Sequence, residues 1–369
     1  MNLKSRALKN NPTILISGGG TGGHIFPAIA IGKAIEEKYP KARIEFVGAK
    51  DKMEMQKVPE AGFKIHGLWI SGIQRKLTLK NLSFPFKLIS SLHKSKKLIK
   101  KIDPDVVVGV GGFASGPLLI MASRMGIPTL IQEQNGYPGI TNKLLSKRAN
   151  KICVAFDNME RFFPSDKIVR TGNPIRKEIV GINKSKQEAR KQFSLNPDKP
   201  TILIIGGSLG ARTVNESIEA GLDKLKTADI QILWQTGKFY TKEPAVMGLR
   251  TQFIKDMSTA YDCADLVISR AGALSISELC AKGKATIMVP SPNVAEDHQT
   301  KNAMALVEKE AAFLIKDNVA KDELVDKAIE IIQDNELLQS LQSNISAMAV
   351  TNAASRILNE IEYLIDRDI

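Results

Sequence analysis

Between Tyr261 and Asn302 the chain sets two serines and an acid, Ser275, Ser277 and Glu278, near the start of a segment that reads as a helix, Leu274–Lys282. A helix start carries unpaired N–H groups and a partial positive charge, which suit phosphates. An acid there can accept hydrogen bonds from the two hydroxyls of a ribose. By spacing alone, an equally good account is that Glu278 caps its own helix. After a short strand over Ala285–Pro290, Asp297-His298-Gln299 place polar side chains within reach of a sugar beyond the phosphates. Together these residues form a candidate nucleotide-sugar site.

A second cluster lies near the N-terminus. Gly18-Gly19-Gly20-Thr21-Gly22-Gly23-His24 follows an apolar run, and Gly18, Gly20 and Gly23 satisfy G-x-G-x-x-G. That pattern alone is weak. A dinucleotide site also needs an acid at the end of the second strand, where this chain reads Gly48-Ala49-Lys50. The loop lacks the Gly-Lys-Ser/Thr ending of a P-loop, so it reads as a phosphate cradle of another kind. Asp103-Pro104-Asp105 resembles a metal-binding D-x-D. It precedes its strand, whereas ligands of open α/β sheets sit beyond the carboxyl ends, so punctuation by proline is the better account and no metal site is assigned.

These residues need strands to carry them. Apolar runs predict strands over Thr13–Ser17, Arg43–Val47, Val106–Val110, Thr129–Gln132 and Asp265–Ser269, with short edge strands at Ile152–Ala155 and Lys167–Arg170. Thr171-Gly172-Asn173-Pro174 breaks the pattern. The sequence then partly restarts, Pro12–Ile16 with its glycines being echoed by Pro200–Ile204 and Gly206-Gly207-Ser208, and the unit at 106–118 by that at 265–278. Two similar halves predict an α/β chain of two Rossmann-like domains facing each other across a cleft. The expected boundaries are 1–172, 173–350 and a final helical stretch, 351–369, packing back towards the first domain.

With 369 residues, two domains are the prior, and 43% hydrophobic residues supply sizeable cores. Three separated cysteines offer no zinc spacing and fit a reducing compartment. The net charge of +13 is unevenly spread: residues 1–175 carry 28 Lys+Arg against 12 Asp+Glu. The opening MNLKSRALKNNP lacks the apolar core of a signal peptide, and no run approaches the ~20 apolar residues of a membrane span. Aromatics make up only 5%, and no nucleic-acid-binding signature is present. Between Glu60 and Asp103 there are ten Lys+Arg and no acid, interleaved with Ile73, Leu77, Leu79, Leu82 and Phe84, and a helix is expected from Leu88 to Lys101. Basic plus apolar composition predicts docking on an anionic membrane surface; the alternative is an amphipathic helix with a solvated lysine face.

In order along the chain stand GGGTGGH, GGFASGP, QEQNGYPG, TGNPIR, GGSLGAR, SRAGALSISE and DHQTKNA. This series resembles the MurG family of bacterial N-acetylglucosaminyltransferases over nearly the whole chain. The resemblance implies a glycosyltransferase-B (GT-B) fold and an inverting reaction needing neither metal nor cofactor. It implies peripheral attachment to the cytoplasmic face of the bacterial cell membrane. The donor would be UDP-N-acetylglucosamine, the acceptor lipid I (undecaprenyl-pyrophosphoryl-N-acetylmuramoyl-pentapeptide) and the product lipid II. Carried across by motif, Thr21, Gly22 and Gly23 line the cleft and Asn135 faces the sugar. Arg176 and Ser208 contact the UDP phosphates and Ile254 the uracil. Ala273, Leu274, Ser275, Ile276 and Ser277 form the phosphate-facing helix start, Glu278 holds the ribose and Gln299 the donor sugar. Leu209 stands where the family often has glutamine, so a polar contact from that side chain is not implied.

Transfer to the acceptor's 4-hydroxyl needs a base. His24, beside the glycine loop, suits it by chemistry, or else it binds the acceptor diphosphate or steadies the loop. Glu133 is the rival base, or a structural acid satisfied by neighbouring backbone. Two other functions fit the residues less well: a UDP-sugar 2-epimerase, which has no use for the basic-apolar segment, and a non-catalytic UDP-sugar sensor. A nicotinamide-dependent oxidoreductase is disfavoured by the missing acid after Val47.

Overall fold

The computed structural model describes residues 11–72, 82–181 and 183–366. The chain divides into two compact units, one formed by Met1–Ile175 with Asn352–Ile369 and the other by Arg176–Thr351.

The first unit is built on seven parallel strands: β1 Thr13–Ser17, β2 Arg43–Ala49, β3 Lys64–Leu68, β4 Val106–Gly109, β5 Thr129–Glu133, β6 Lys151–Val154 and β7 Ile168–Arg170. They lie in the order β3-β2-β1-β4-β5-β6-β7. The order reverses between β1 and β4, and ligand crevices of doubly wound sheets open at that place, beyond the carboxyl ends. β1 and β4 are buried on both faces, as their unbroken Ile-Leu-Ile and Val-Val-Val runs require.

β3 departs from expectation. Lys-Ile-His-Gly-Leu carries too little apolar character to read as a strand, yet it pairs with β2 because an edge strand can leave Lys64 in solvent. β6 is not an edge strand either, since β7 covers it. The basic helix runs over Phe84–Ile102, longer than expected, and buries Leu98, Ile99 and Ile102. Asp105 is 2% exposed and accepts the Thr13 N–H at 2.8 Å, which accounts for it as strand punctuation. Helix Ala353–Asp366 completes this unit, its Ile357, Leu358, Ile361 and Leu364 packing with Ile14, Ile16 and Val108. Tyr39 OH donates to Glu362 at 2.6 Å.

The second unit repeats the plan with β8 Thr201–Ile205, β9 Gln231–Gln235, β10 Gly248–Thr251, β11 Leu266–Ser269, β12 Ala285–Met288 and β13 Phe313–Leu314, all parallel. Their order is β10-β9-β8-β11-β12-β13. Trp234, on β9, is fully buried and satisfies its indole N–H on Asn215 at 3.0 Å. Helices Ala320–Gln333 and Asn335–Ala347 belong to this unit, and Ala353–Asp366 to the first. Among the described residues no helix is long and apolar enough to cross a membrane.

Candidate active site

In the first unit the glycine loop leaves β1 at the point of strand reversal and enters helix Gly22–Lys38 with Thr21 as its N-cap. Thr21, Gly22 and Gly23 thus form the helix entrance, whose first turn holds no acid. The loop after β4 presses against it. Gly112 has a φ of +87°, and a side chain there would collide with the Gly19 backbone, so only glycine brings the two loops together. Ser115 ties the same corner, its hydroxyl lying 3.0 Å from Ser17 O and 2.8 Å from Gly111 O.

His24 projects from the first turn of that helix. Its Nδ1 lies 3.1 Å from Gly19 O and 3.3 Å from Thr21 Oγ1. A carbonyl oxygen can only accept, so Nδ1 carries a proton, and whenever the ring is neutral Nε2 is the nitrogen without one. Glu133, at the end of β5, is 2% exposed. It accepts from Asn135 N at 3.1 Å, Asn135 Nδ2 at 3.3 Å, Gly139 N at 3.2 Å and Asn142 Nδ2 at 2.9 Å. Burial raises its carboxyl above the usual range, partly opposed by those donors. Asn135 therefore sits on the turn that Glu133 organises. Gln132 and Asn173 bond at 3.0 Å, and Asn173 Nδ2 donates to Gln134 O at 3.0 Å, fastening the TGNP segment to the same turn.

In the second unit, helix Ala273–Lys282 begins one residue earlier than expected, which makes Glu278 its sixth residue rather than a first-turn acid. It does not cap its own helix. Its Oε1 accepts from Arg176 Nε at 3.1 Å and Nη2 at 2.9 Å, and its Oε2 accepts from Tyr261 OH at 2.9 Å. Tyr261 is 1% exposed, and burial, reinforced by the Glu278 charge, pushes its phenol well above the usual range. Arg176 thus meets Glu278 directly, 102 residues further along the chain. The other residues of that helix start differ in what they present. Ser277 Oγ lies 3.0 Å from Ala273 O, Ile276 points into the core, Ala273 is buried, and Leu274 and Ser275 are partly exposed.

Ser208 and Leu209 are exposed on the loop after β8. Ile254 is 3% exposed, and its N–H donates to Gln235 Oε1 at 2.9 Å. Gln235 Nε2 in turn donates to Gly207 O at 3.1 Å, so one buried amide links the Ser208 loop to Ile254. Gln299 lies in the first turn of helix His298–Val307 and accepts the Ser291 N–H at 2.8 Å. Sequence reasoning missed Tyr261, Gln235 and Glu54. None stands in a motif, and each is identified only by what it touches.

Of the apolar residues assigned to the membrane, Ile73, Leu77 and Leu79 lie outside the described residues. Leu82 is 69% exposed, whereas Phe84 packs on the core. Phe86 and Ile89 are exposed one turn further on. Among the described residues no group of His, Cys, Asp and Glu is arranged to hold a metal ion.

Two parallel Rossmann-like sheets, with an arginine, an acid and a helix start gathered beyond the second, define the GT-B fold class. Two family descriptions match: the glycosyltransferase family 28 N-terminal domain over residues 14–154 and its C-terminal domain over residues 201–357. The chain belongs to glycosyltransferase family 28, and within it to the MurG group. A relative from Cytophaga hutchinsonii is 56% identical over 96% of this chain and 97% of its own length. One from Phocaeicola vulgatus is 55% identical over 98% of each. Both are described as UDP-N-acetylglucosamine–N-acetylmuramyl-(pentapeptide) pyrophosphoryl-undecaprenol N-acetylglucosamine transferase. The crystal structure of Acinetobacter baumannii MurG superposes with a TM-score of 0.78 at 31% identity, covering 95% of this chain and 99% of that one. A putative UDP-N-acetylglucosamine 2-epimerase from Listeria monocytogenes shares the fold alone, at 13% identity, a TM-score of 0.66 and coverage of 95% and 96%.

Proposed function

We propose that this chain moves N-acetylglucosamine from UDP-N-acetylglucosamine to the 4-hydroxyl of the N-acetylmuramoyl group of lipid I, with inversion, giving lipid II. The Arg176–Glu278–Tyr261 cluster carries the reading from the structural side. It holds a fixed acid for the ribose beside a guanidinium and a helix start for the diphosphate. Near-full-length relatives bearing that activity in their names support the same substrates.

The leaving group is UDP, whose charge develops on the diphosphate. Arg176, Ser208 and the N–H groups at Ala273–Ser275 are assigned to that charge, so the reaction is proposed to need no metal and no cofactor. Ile254 faces the uracil and Gln299 the donor sugar. Thr21, Gly22 and Gly23 bind substrate and Asn135 faces the sugar. His24 is the base, its Nε2 taking the proton of the 4-hydroxyl while its Nδ1–H is held by Gly19 O. Glu133, with four donors on its two oxygens, organises the Asn135 turn instead.

Lipid I is membrane-bound, so the enzyme is placed as a peripheral protein on an anionic membrane surface at the cytoplasmic face. Leu82, Phe86 and Ile89, exposed beside the lysines of helix Phe84–Ile102, support that docking. The test is transfer of labelled sugar from UDP-N-acetylglucosamine to a lipid I analogue, with chelator present. Labelled lipid II is the expected product; conversion of the sugar nucleotide without acceptor would instead establish an epimerase.

A further inference from the structure

The end of β2 lacks the acid of a dinucleotide site, yet an acid reaches that place from elsewhere. Glu54, the first residue of helix Glu54–Glu60, is 0% exposed. Its Oε1 accepts the Ala49 N–H at 2.9 Å and its Oε2 the Gly20 N–H at 2.9 Å. A Cβ at Gly19 or at Gly48 would run into the Glu54 side chain, so both glycines make room for it. Part of the glycine loop is therefore shaped around an internal carboxylate.

The Gly20 N–H and the Gly19 C=O belong to one peptide group. Glu54 takes its hydrogen on one side, and His24 Nδ1 lies 3.1 Å from its oxygen on the other. A hydrogen bond at the N–H of an amide polarises its carbonyl and strengthens the bond that the carbonyl accepts. We infer that Glu54 is a positioning residue for His24, acting through the Gly19–Gly20 peptide to hold the imidazole as the Nδ1–H tautomer with Nε2 ready to accept a proton. A buried carboxylate cannot readily move or lose its partners, which keeps that peptide plane fixed. The loop's Gly20 amide, committed to Glu54, is correspondingly withdrawn from any phosphate. The inference rests on the reading of His24 as the base.

The test uses the full chain labelled with nitrogen-15 at histidine, of which there are four, His24 being assigned by its loss in His24→Gln. In the wild type the neutral His24 ring is expected to show the Nδ1–H pattern. Glu54→Gln should mix in the Nε2–H tautomer and lower kcat about tenfold or more. KM for both substrates should stay within about twofold. Gly19→Ala disturbs the same contact from the opposite side and should give the same spectral change, which covers the case in which Glu54→Gln fails to fold. An unchanged His24 tautomer in a folded variant overturns the inference, whatever happens to turnover. Full turnover in His24→Gln overturns the catalytic reading beneath it, while the spectrum separately decides the coupling.

Discussion

Replacing Glu278 with alanine should weaken UDP binding by an amount that depends on the ribose. The carboxylate is held on both oxygens, by two nitrogens of Arg176 and by the Tyr261 hydroxyl, so it is pre-set before any ligand arrives. Hydrogen bonds to a charged acceptor contribute about 1.5–3 kcal/mol each, and those from ribose exchange with bonds to water. A net loss of about 1–3 kcal/mol is expected, or roughly 5- to 150-fold in Kd. Freed Arg176, whose side chain is 43% exposed, stays solvated and can turn wholly to the diphosphate, which pulls the result towards the lower figure. Tyr261 is left with a buried hydroxyl lacking its acceptor, at a cost of about 1–3 kcal/mol in stability. The double variant Glu278→Ala with Tyr261→Phe should recover part of that. Calorimetric titration with UDP and with 2′,3′-dideoxy-UDP separates the contributions. The substitution should weaken UDP and leave the dideoxy nucleotide almost unaffected. Equal weakening of both would refute the ribose role and make Glu278 a scaffold for Arg176.

His24→Ala should lower kcat by about 10²- to 10⁴-fold while donor KM holds, measured by steady-state transfer to a soluble lipid I analogue. Leu82, Phe86 and Ile89 changed together to serine should release the protein from anionic vesicles in a sedimentation assay, losing roughly 3–6 kcal/mol of insertion energy. Glu45 sets an acid limit on the first unit. Burial opposes its ionisation, but His66, Arg43 and Lys64 outweigh that and bring its carboxyl down to about 2. The stability so gained is present above the unfolded value and is lost as pH falls from about 4.5 through about 2. Because Arg43 and Lys64 are largely exposed, about 1–2 kcal/mol is expected. Glu45→Gln should flatten the difference between urea unfolding at neutral and acid pH by that amount.

Much of the scaffold is written in local composition. Ile14-Leu15-Ile16 and Ile202-Leu203-Ile204-Ile205 read as buried strands because parallel strands covered on both faces tolerate little else. β3 escaped because an edge strand with basic residues on its open side has no such signature. At the site, Arg176 and Glu278 were legible singly, through the motifs that hold them. Their meeting, and the third partner Tyr261, depend on a fold that joins positions 102 and 17 residues apart. Glu54 was hidden for a similar reason. An acid at a helix start is ordinarily a local cap, and only the path of the chain shows this one turned inward to Gly20, 34 residues upstream.

The closing helix of the first unit bears on how the protein is made. Ile357, Leu358, Ile361 and Leu364 are each at most 5% exposed, and burying four such side chains contributes roughly 6–12 kcal/mol. That rivals the entire net stability of a typical domain, about 5–15 kcal/mol. The ribosome therefore delivers the unit that bears His24 first but supplies its last structural layer only after the whole of Arg176–Thr351 has been made. Arg176–Thr351, by contrast, is contiguous and can fold while the earlier segment waits incomplete. Until then the apolar face around Ile14, Ile16 and Val108 is open to chaperones and to aggregation. Stopping the chain before Ala353 should accordingly expose the first unit to limited proteolysis and leave Arg176–Thr351 protected, damage appearing far upstream of the cut.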